Sequence, residues 1–252
     1  MEALSEKMFF DANAVSLVDD SCYENLVQLR QTLDALSNLM YQSVYVVDYY
    51  RKNYFYVPEN PLVLEGLFSE RMQREGIGAF LGKIPRDERA KLFELHRAGF
   101  ELFSKLPMAS RRNCVVSCDF HLMNDGAKVL INHRQTPLVF TETGELWLAL
   151  CLNSLSPHKS VGHAEFRIDR DNKVWEYSFD ARQWQQKDIV VLSPEEKKLL
   201  FYAAQGYSRE EIAVRLHKSV NTVKLYRKKM FERMKVSNIT EAISYAAAYG
   251  LM

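Results

Sequence analysis

The sequence predicts an α+β fold: an antiparallel sheet with flanking helices, followed by an all-α unit of four short helices. Three observations predict it. Two groups of extended runs rich in β-branched and aromatic residues are separated by stretches of helical periodicity. From Leu192 onward four helix-capping signals follow one another at short intervals. The charge is also divided along the chain. The 252 residues carry 33 Lys+Arg against 32 Asp+Glu, a formal net charge of +1, yet residues 192–252 alone hold 11 basic and 6 acidic residues. A net of −4 on the larger part thus hides a basic tail of +5, as expected when one domain meets a polyanion and the other does not. At 47% hydrophobic and 26% charged the chain is ordinary globular material for one or two domains, which excludes disordered, collagenous and fibrous readings.

The first residues, 1–23, read as an N-terminal extension in which Asp19 and Asp20 are exposed acids. Residues 24–41 place Leu26, Leu29, Leu33, Leu36 and Met40 at spacings of three and four, which predicts a helix. Ser43–Tyr50 and Asn53–Val57, joined through Arg51-Lys52, predict a strand pair that Pro58 and Pro61 end. Helical spacing returns over 86–106 with Leu92, Leu95, Phe100 and Phe103. Three extended runs follow at 113–123, 127–140 and 145–155, with turns at Asn124-Asp125-Gly126 and Thr143-Gly144. In the first of them Cys114, Val116, Cys118, Phe120 and Leu122 share a face that should be core, opposite Asp119 and His121. The last is apolar on both faces (Leu146, Trp147, Leu148, Leu150, Leu152), the mark of a central strand. Ala164–Asp169 and Lys173–Phe179 straddle Arg170-Asp171-Asn172 as an accessory hairpin, and Asp180–Val191 reads as a linker.

The tail is the most legible part. Ser193-Pro194-Glu195-Glu196 sets a capping Ser, Pro at the first helical position and a capping-box Glu ahead of Leu199, Leu200 and Phe201, with Gly206 just past the end. Ser208 with Glu211, Ser219 with Thr222, and Asn238 with Glu241 open three more helices, the last closed by Gly250. Only His217 and Lys218 separate the second helix from the cap of the third, which forces a sharp helix-turn-helix corner. On the third helix Val223, Tyr226, Met230 and Met234 form one stripe, and Lys224, Leu225, Lys228 and Lys229 lie opposite. Lys224 and Lys228, one turn apart, suit guanine acceptors in a major groove, and Leu225 suits a thymine methyl. A solvated cationic face is the bland alternative. The cap-corner-cap arrangement and the isolated Leu225 favour the groove.

On Leu192-Ser193-Pro194, Glu196, Ala204, Gly206, Ser208, Glu211-Ile212-Ala213, Leu216, Ser219, Thr222-Val223-Lys224, Met234, Val236, Glu241-Ala242 and Gly250-Leu251, residues 192–252 resemble the LuxR/GerE-type helix-turn-helix domain of bacterial transcription regulators. The resemblance implies double-stranded DNA as partner, with Lys224, Leu225 and Lys228 at the bases and Ser219, Thr222, Arg227 and Lys229 at the backbone. It also implies a homodimer in which the Thr240–Tyr249 helix pairs two protomers over a two-fold site. Four residues depart from the family pattern. Glu195 stands where Arg is usual and Lys198 where a second acid is usual, which alters a charge pair of the first helix; Lys218 and Tyr226 bear on sequence preference.

Through Val44-Tyr45-Val46-Val47-Asp48, Phe55-Tyr56-Val57, Asn60-Pro61 and Gly66, the larger part resembles a PAS sensor domain over residues 24–160, a PAS-like antiparallel sheet with flanking helices. Residues 161–191 would then be the accessory hairpin and linker to the 192–252 DNA-binding domain. Members of that family bind varied small molecules, haem or flavin, or serve only to dimerise. Here the photosensory cysteine motif is absent and no His carries over as a haem ligand, so no cofactor is predicted and the ligand is left unnamed. The Val18-Asp19-Asp20 run does not make a receiver domain, because no βα repeat follows it. An autoinducer-binding domain is disfavoured by the lack of any Trp before Trp147.

Other chemistries find little support. Cys22, Cys114, Cys118 and Cys151 form no C-x2-C pair, and Cys114 and Cys118 would lie about 13 Å apart along a strand, too far for a disulfide. The six histidines show no metal-ligand spacing, and no compact catalytic motif appears. The apolar run Leu146–Leu152 is too short to cross a bilayer, and Met1–Asp11 carries acids where a leader would be basic, so a cytoplasmic, membrane-free protein is expected. The sequence thus predicts a non-enzymatic transcription regulator whose PAS-like domain senses a small molecule or mediates dimerisation. The alternative is a protein-binding adaptor that does not read a promoter.

Overall fold

The computed structural model describes residues 2–58, 67–124, 126–168, 173–188 and 190–252. They form two compact units, one of residues 1–156 with 160–187 and one of 157–159 with 188–252. Among the described residues of the first unit, eight strands make one antiparallel sheet in the order β2-β1-β5-β4-β3-β6-β7-β8. Helices α1 (Glu2–Asp11), α2 (Asp20–Glu24) and α3 (Val27–Leu39) lead into β1 (Ser43–Asp48) and β2 (Asn53–Tyr56). Helices α4 (Leu67–Glu75), α5 (Ile77–Lys83), α6 (Arg86–Ser104) and α7 (Met108–Arg111) come next. The sheet then continues with β3 (Cys114–Asn124), β4 (Ala127–Phe140), β5 (Leu146–Leu155), β6 (Ala164–Ile168), β7 (Lys173–Ser178) and β8 (Gln183–Lys187).

The period-two alternation of these strands sorts their side chains into two cores. Tyr45 and Val47 of β1, Ala149 and Cys151 of β5, and Cys118 and Phe120 of β3 face a core closed by Phe9, Phe80, Leu95 and Phe103. Val44, Val46 and Leu148 face the other way, against Val18, Leu33 and Phe55, with Leu150 and Leu152 packed beside them. The apolar β5 therefore lies mid-sheet between β1 and β4, covered on both sides. Asp48, buried at the end of β1, is satisfied by the Tyr50 and Arg51 amides at 2.9 and 3.0 Å and by the Tyr23 hydroxyl at 2.6 Å.

Several segments differ from the sequence expectation. The 1–23 stretch is not a bare extension: α1 packs on α5 and α6, placing Phe9 and Phe10 in the core. Its apolar residues bunch at Met8-Phe9-Phe10 instead of recurring every three or four positions, so only the tertiary partner reveals which of them are core. Asp19 caps α2, accepting from the Ser21 amide at 2.8 Å, and Asp20 pairs with Arg51 at 2.7 Å. The helix expected over 24–41 begins only at Val27, after the separate α2. The accessory hairpin is no appendage, since β6 bonds to β3 with Val116 opposite Phe166 and so prolongs the sheet. Part of the expected linker is the edge strand β8, in which only Trp184 packs on the core. A polar edge strand has little apolar pattern to read. Asn60-Pro61, Gly66, Asp125 and Arg170-Asp171-Asn172, to which turns or motif positions were assigned, lie outside the described residues. No described helix is long and apolar enough to cross a membrane.

The second unit contains α8 (Pro194–Ala204), α9 (Arg209–Arg215), α10 (Val220–Met234) and α11 (Ile239–Ala248) around Leu199, Leu200, Ile212, Val223, Met230, Met234, Ala242 and Ala246. Ser193 and Ser208 make complete capping boxes with Glu196 and Glu211, while Ser219 and Asn238 cap through the Thr222 and Glu241 amides. The corner between α9 and α10 is a Schellman turn: the His217 amide donates to Val214 O at 3.1 Å and the Lys218 amide to Ala213 O at 2.9 Å. That turn holds His217 at φ 52°, where a Cβ is disfavoured. His217→Gly should therefore raise the opening free energy of α8–α11 amides by about 1 kcal/mol in native-state hydrogen exchange. A fall would mean that the imidazole makes a stabilising contact of its own.

Candidate nucleic-acid interface and ligand cavity

Helix α10 is held by its apolar side. Val223, Met230 and Met234 are buried and Tyr226 is half-buried against the same core. The structure brings Lys224, Leu225, Lys228 and Lys229 together on the exposed side, where Leu225 shows 49% of its surface. Leu225 is not one of the residues packed on the core of this unit. Lys228 reaches Glu232 one turn on at 4.0 Å, an exposed pair of at most about 0.5 kcal/mol. Ser219 and Thr222 serve the helix start: the Ser219 hydroxyl accepts from the Thr222 amide at 3.1 Å and the two hydroxyls meet at 2.9 Å. Arg227 is half-buried with its guanidinium 5.5 Å from the Phe231 ring centre. Burial, and then the nearby charge of Arg209, push the Arg227 pKa down.

The first helix is tied to this one by a residue that fits the family pattern. Glu196 is buried, accepting from the Ser193 amide at 2.9 Å and from the Arg233 guanidinium at 2.5 Å. Burial alone would raise its pKa, but the hydrogen bonds from Arg233 and Ser193 outweigh it and hold the carboxyl below the usual range. The substitutions at Glu195 and Lys198 therefore leave α8 docked through Glu196.

The other site is a cavity of about 70 Å³ inside the first unit, between the sheet and α5 and α6. Its walls are aromatic and aliphatic, with Phe9, Phe80, Phe100, Phe103, Phe120 and Phe166 prominent, and no Asp, Glu, Lys or Arg lines it. The polar lining residues Tyr45, His96, His133 and Gln135 fall in two sets, held from outside the lining by Asn153 and Tyr49. His133 Nδ1 lies 2.9 Å from Asn153 Oδ1 and 3.2 Å from the Tyr45 hydroxyl. With the amide oxygen accepting, the His133 proton sits on Nδ1 and Nε2 is an acceptor. In the second set Gln135 Nε2 donates to the Tyr49 hydroxyl at 2.7 Å, and that hydroxyl meets His96 Nε2 at 3.3 Å. Phe9 of α1 stacks on the His96 ring at 4.0 Å.

Burial lowers the His133 pKa to about 4; burial together with the His133 charge lowers that of His96 to about 3. Both rings are neutral at physiological pH. Burial likewise pushes the Cys118 and Cys151 thiols up, which makes them poor nucleophiles. The Asn153 Nδ2 is buried without a hydrogen-bond partner among the described residues. The volume exceeds the roughly 10–15 Å³ that one water needs. Among the described residues no group of three or more His, Cys, Asp or Glu is placed to hold a metal ion. Sequence reasoning did not single out Tyr45, Tyr49, His96, His133, Gln135 or Asn153. The available signal was polar residues alternating onto the apolar face of β4, which becomes meaningful only once strand register is known.

Comparison with known proteins agrees with the tail and says less of the rest. Regulatory protein SdiA of Escherichia coli (strain K12) is 38% identical over 71 residues, an alignment spanning 26% of this chain and 30% of SdiA. The structure of a phage VqmA-DPO complex aligns over 88% of this chain and 89% of that one, at 16% identity and a TM-score of 0.30. A Vibrio cholerae VqmA dimer without target DNA covers 88% of each chain at 16% identity and a TM-score of 0.33. At such values the likeness does not extend to individual residues. Residues 190–246 match the family model of bacterial regulatory proteins of the luxR family, and the C-terminal unit built by α8–α11 is a helix-turn-helix domain of that family.

Proposed function

We propose that this chain is a cytoplasmic, non-enzymatic transcription regulator that binds a two-fold double-stranded DNA site as a homodimer and responds to a small molecule held in its PAS-like unit. The observation that carries the DNA reading is the exposed Lys224-Leu225-Lys228 surface on a luxR-type corner whose opposite face is fully used for packing. In this reading Lys224, Leu225 and Lys228 meet base edges, and Ser219, Thr222, Arg227 and Lys229 meet the backbone. The exposed side of α11 presents Thr240, Ser244 and Ala247 in one stripe, small enough for a second copy of the helix to approach closely.

The cavity supports the sensing half. A lining without formal charge, two imidazoles kept neutral and a ring of phenylalanines favour an uncharged, flat, aromatic ligand that exchanges hydrogen bonds with Tyr45, His96, His133 or Gln135. Selection of DNA from a random library with the purified full-length protein tests the first half and should enrich a two-fold motif. No enriched motif, together with a protein partner retained from the same cells, would favour the adaptor instead. Mass spectrometry of material extracted from the native protein tests the second half. It should release an uncharged aromatic compound in stoichiometric amount, and an ionised one would contradict the cavity argument.

A further inference from the structure

We propose that Arg209 and Arg227 together grip one DNA backbone phosphate beside the base-reading surface, which makes Arg209 a positioning residue for docking. The proposal rests on the DNA-binding reading above. Arg209 is the first residue of α9 and Arg227 lies midway along α10, so the two helices of the corner each supply one guanidinium. Both line one open groove with Lys224, Lys228 and Lys235. Among the described residues neither arginine has an ion-pair partner, and the one acid of that groove, Glu232, lies against Lys228 at 4.0 Å. Arg209 Nε is buried and lacks a hydrogen-bond partner.

Two like charges held near each other, both of them half-buried, destabilise the free domain unless an anion lies between them. Burial lowers the Arg227 pKa first, and the Arg209 charge lowers it further. A phosphodiester supplies both the charge and the oxygen geometry that two guanidinium forks match, whereas a base edge supplies no charge. Because the arginines come from different helices, a shared phosphate would fix the angle at which the corner sits on the duplex, and so the register of Lys224 and Lys228 against the bases.

The test uses the full-length protein on its selected site, titrated by fluorescence anisotropy over a series of salt concentrations. Each phosphate contact contributes about 0.9 to the slope of log K against log salt. Arg209→Ala and Arg227→Ala should each lower that slope by about 0.9, and the double variant should lower it by about 0.9 again in total rather than twice as much, since one phosphate is shared. Arg209→Lys should keep most of the slope and, with it, the wild-type base preference. Arg209→Gln substitutes for the alanine variant if circular dichroism shows that variant unfolded. An unchanged slope in Arg209→Ala, or a doubled loss in the double variant, overturns the shared grip while leaving DNA binding standing. Wild-type protein with no salt-dependent DNA binding overturns both.

Discussion

Replacing Lys224 with Ala should weaken binding to the selected DNA site by about 1–3 kcal/mol and flatten the preference at one base position in each half-site, with the rest of the profile kept. The expectation comes from where α10 is anchored. Val223, Met230 and Met234 are buried in the core, so the helix cannot rotate without emptying it. With that side fixed, Lys224 and Lys228 must point outward, one turn apart, with Leu225 beside them. Lys224 has no ion pair among the described residues, so the proposed base contact would keep its full charge. Lys228 must first leave Glu232, so Lys228→Ala should cost less than Lys224→Ala. Leu225→Ala should remove a preference for thymine without altering the salt dependence, because it deletes an apolar contact and no charge. Binding profiles from library selection, compared variant by variant, measure all three. Profiles of Lys224→Ala and Lys228→Ala that match wild type would remove α10 from the groove.

The tail was legible because its instructions are local. A capping Ser or Asn and its Glu or Thr partner lie three residues apart, and each helix start needs only those two to be found together. The exceptions confirm the point: Gly206 and Gly250 announced their helix ends, but His217 and Lys235 do the same work at φ 52° and 55° as non-glycine residues and gave no warning. The sheet was legible in its middle, where β5 is apolar on both faces. It faded toward β8, whose polar residues match an edge strand and a loop equally well. Least legible was the cavity. Its polar groups come from β1, β4, β5 and α6, and positions as distant as Tyr45 and His133 become neighbours only through register. Phe9 contributes through a helix whose sequence shows no apolar face at all. Such a site is a product of long-range pairing, which no window of adjacent residues contains.

Acidification should unfold the first unit before the helix-turn-helix unit, and His96 and His133 should be the cause. In the unfolded chain both titrate near 6.5, whereas in the folded unit they titrate near about 3 and about 4. Between pH 6.5 and pH 4 the unfolded state thus binds more protons than the folded one, and stability falls as pH falls. Each histidine contributes up to about 1.4 kcal/mol per pH unit in that window, so the pair could remove up to about 4 kcal/mol by pH 5, against a total of roughly 5–15 kcal/mol for a domain. The second unit behaves differently, because the depressed carboxyls Glu196 and Glu211 lose their contribution only as pH drops below the usual carboxylate value. The three tryptophans, Trp147, Trp175 and Trp184, all lie in the first unit, so urea titrations followed by tryptophan fluorescence report it alone. The midpoint should fall steeply from pH 7 to pH 5 in the wild type and far less in a His96→Phe, His133→Gln double variant. A bound uncharged ligand should raise the midpoint by a similar increment at pH 7 and at pH 5, since both imidazoles stay neutral in the folded unit across that range. If the double variant keeps the wild-type pH slope, the two imidazoles are not buried and neutral, and nothing in the cavity then selects for an uncharged ligand.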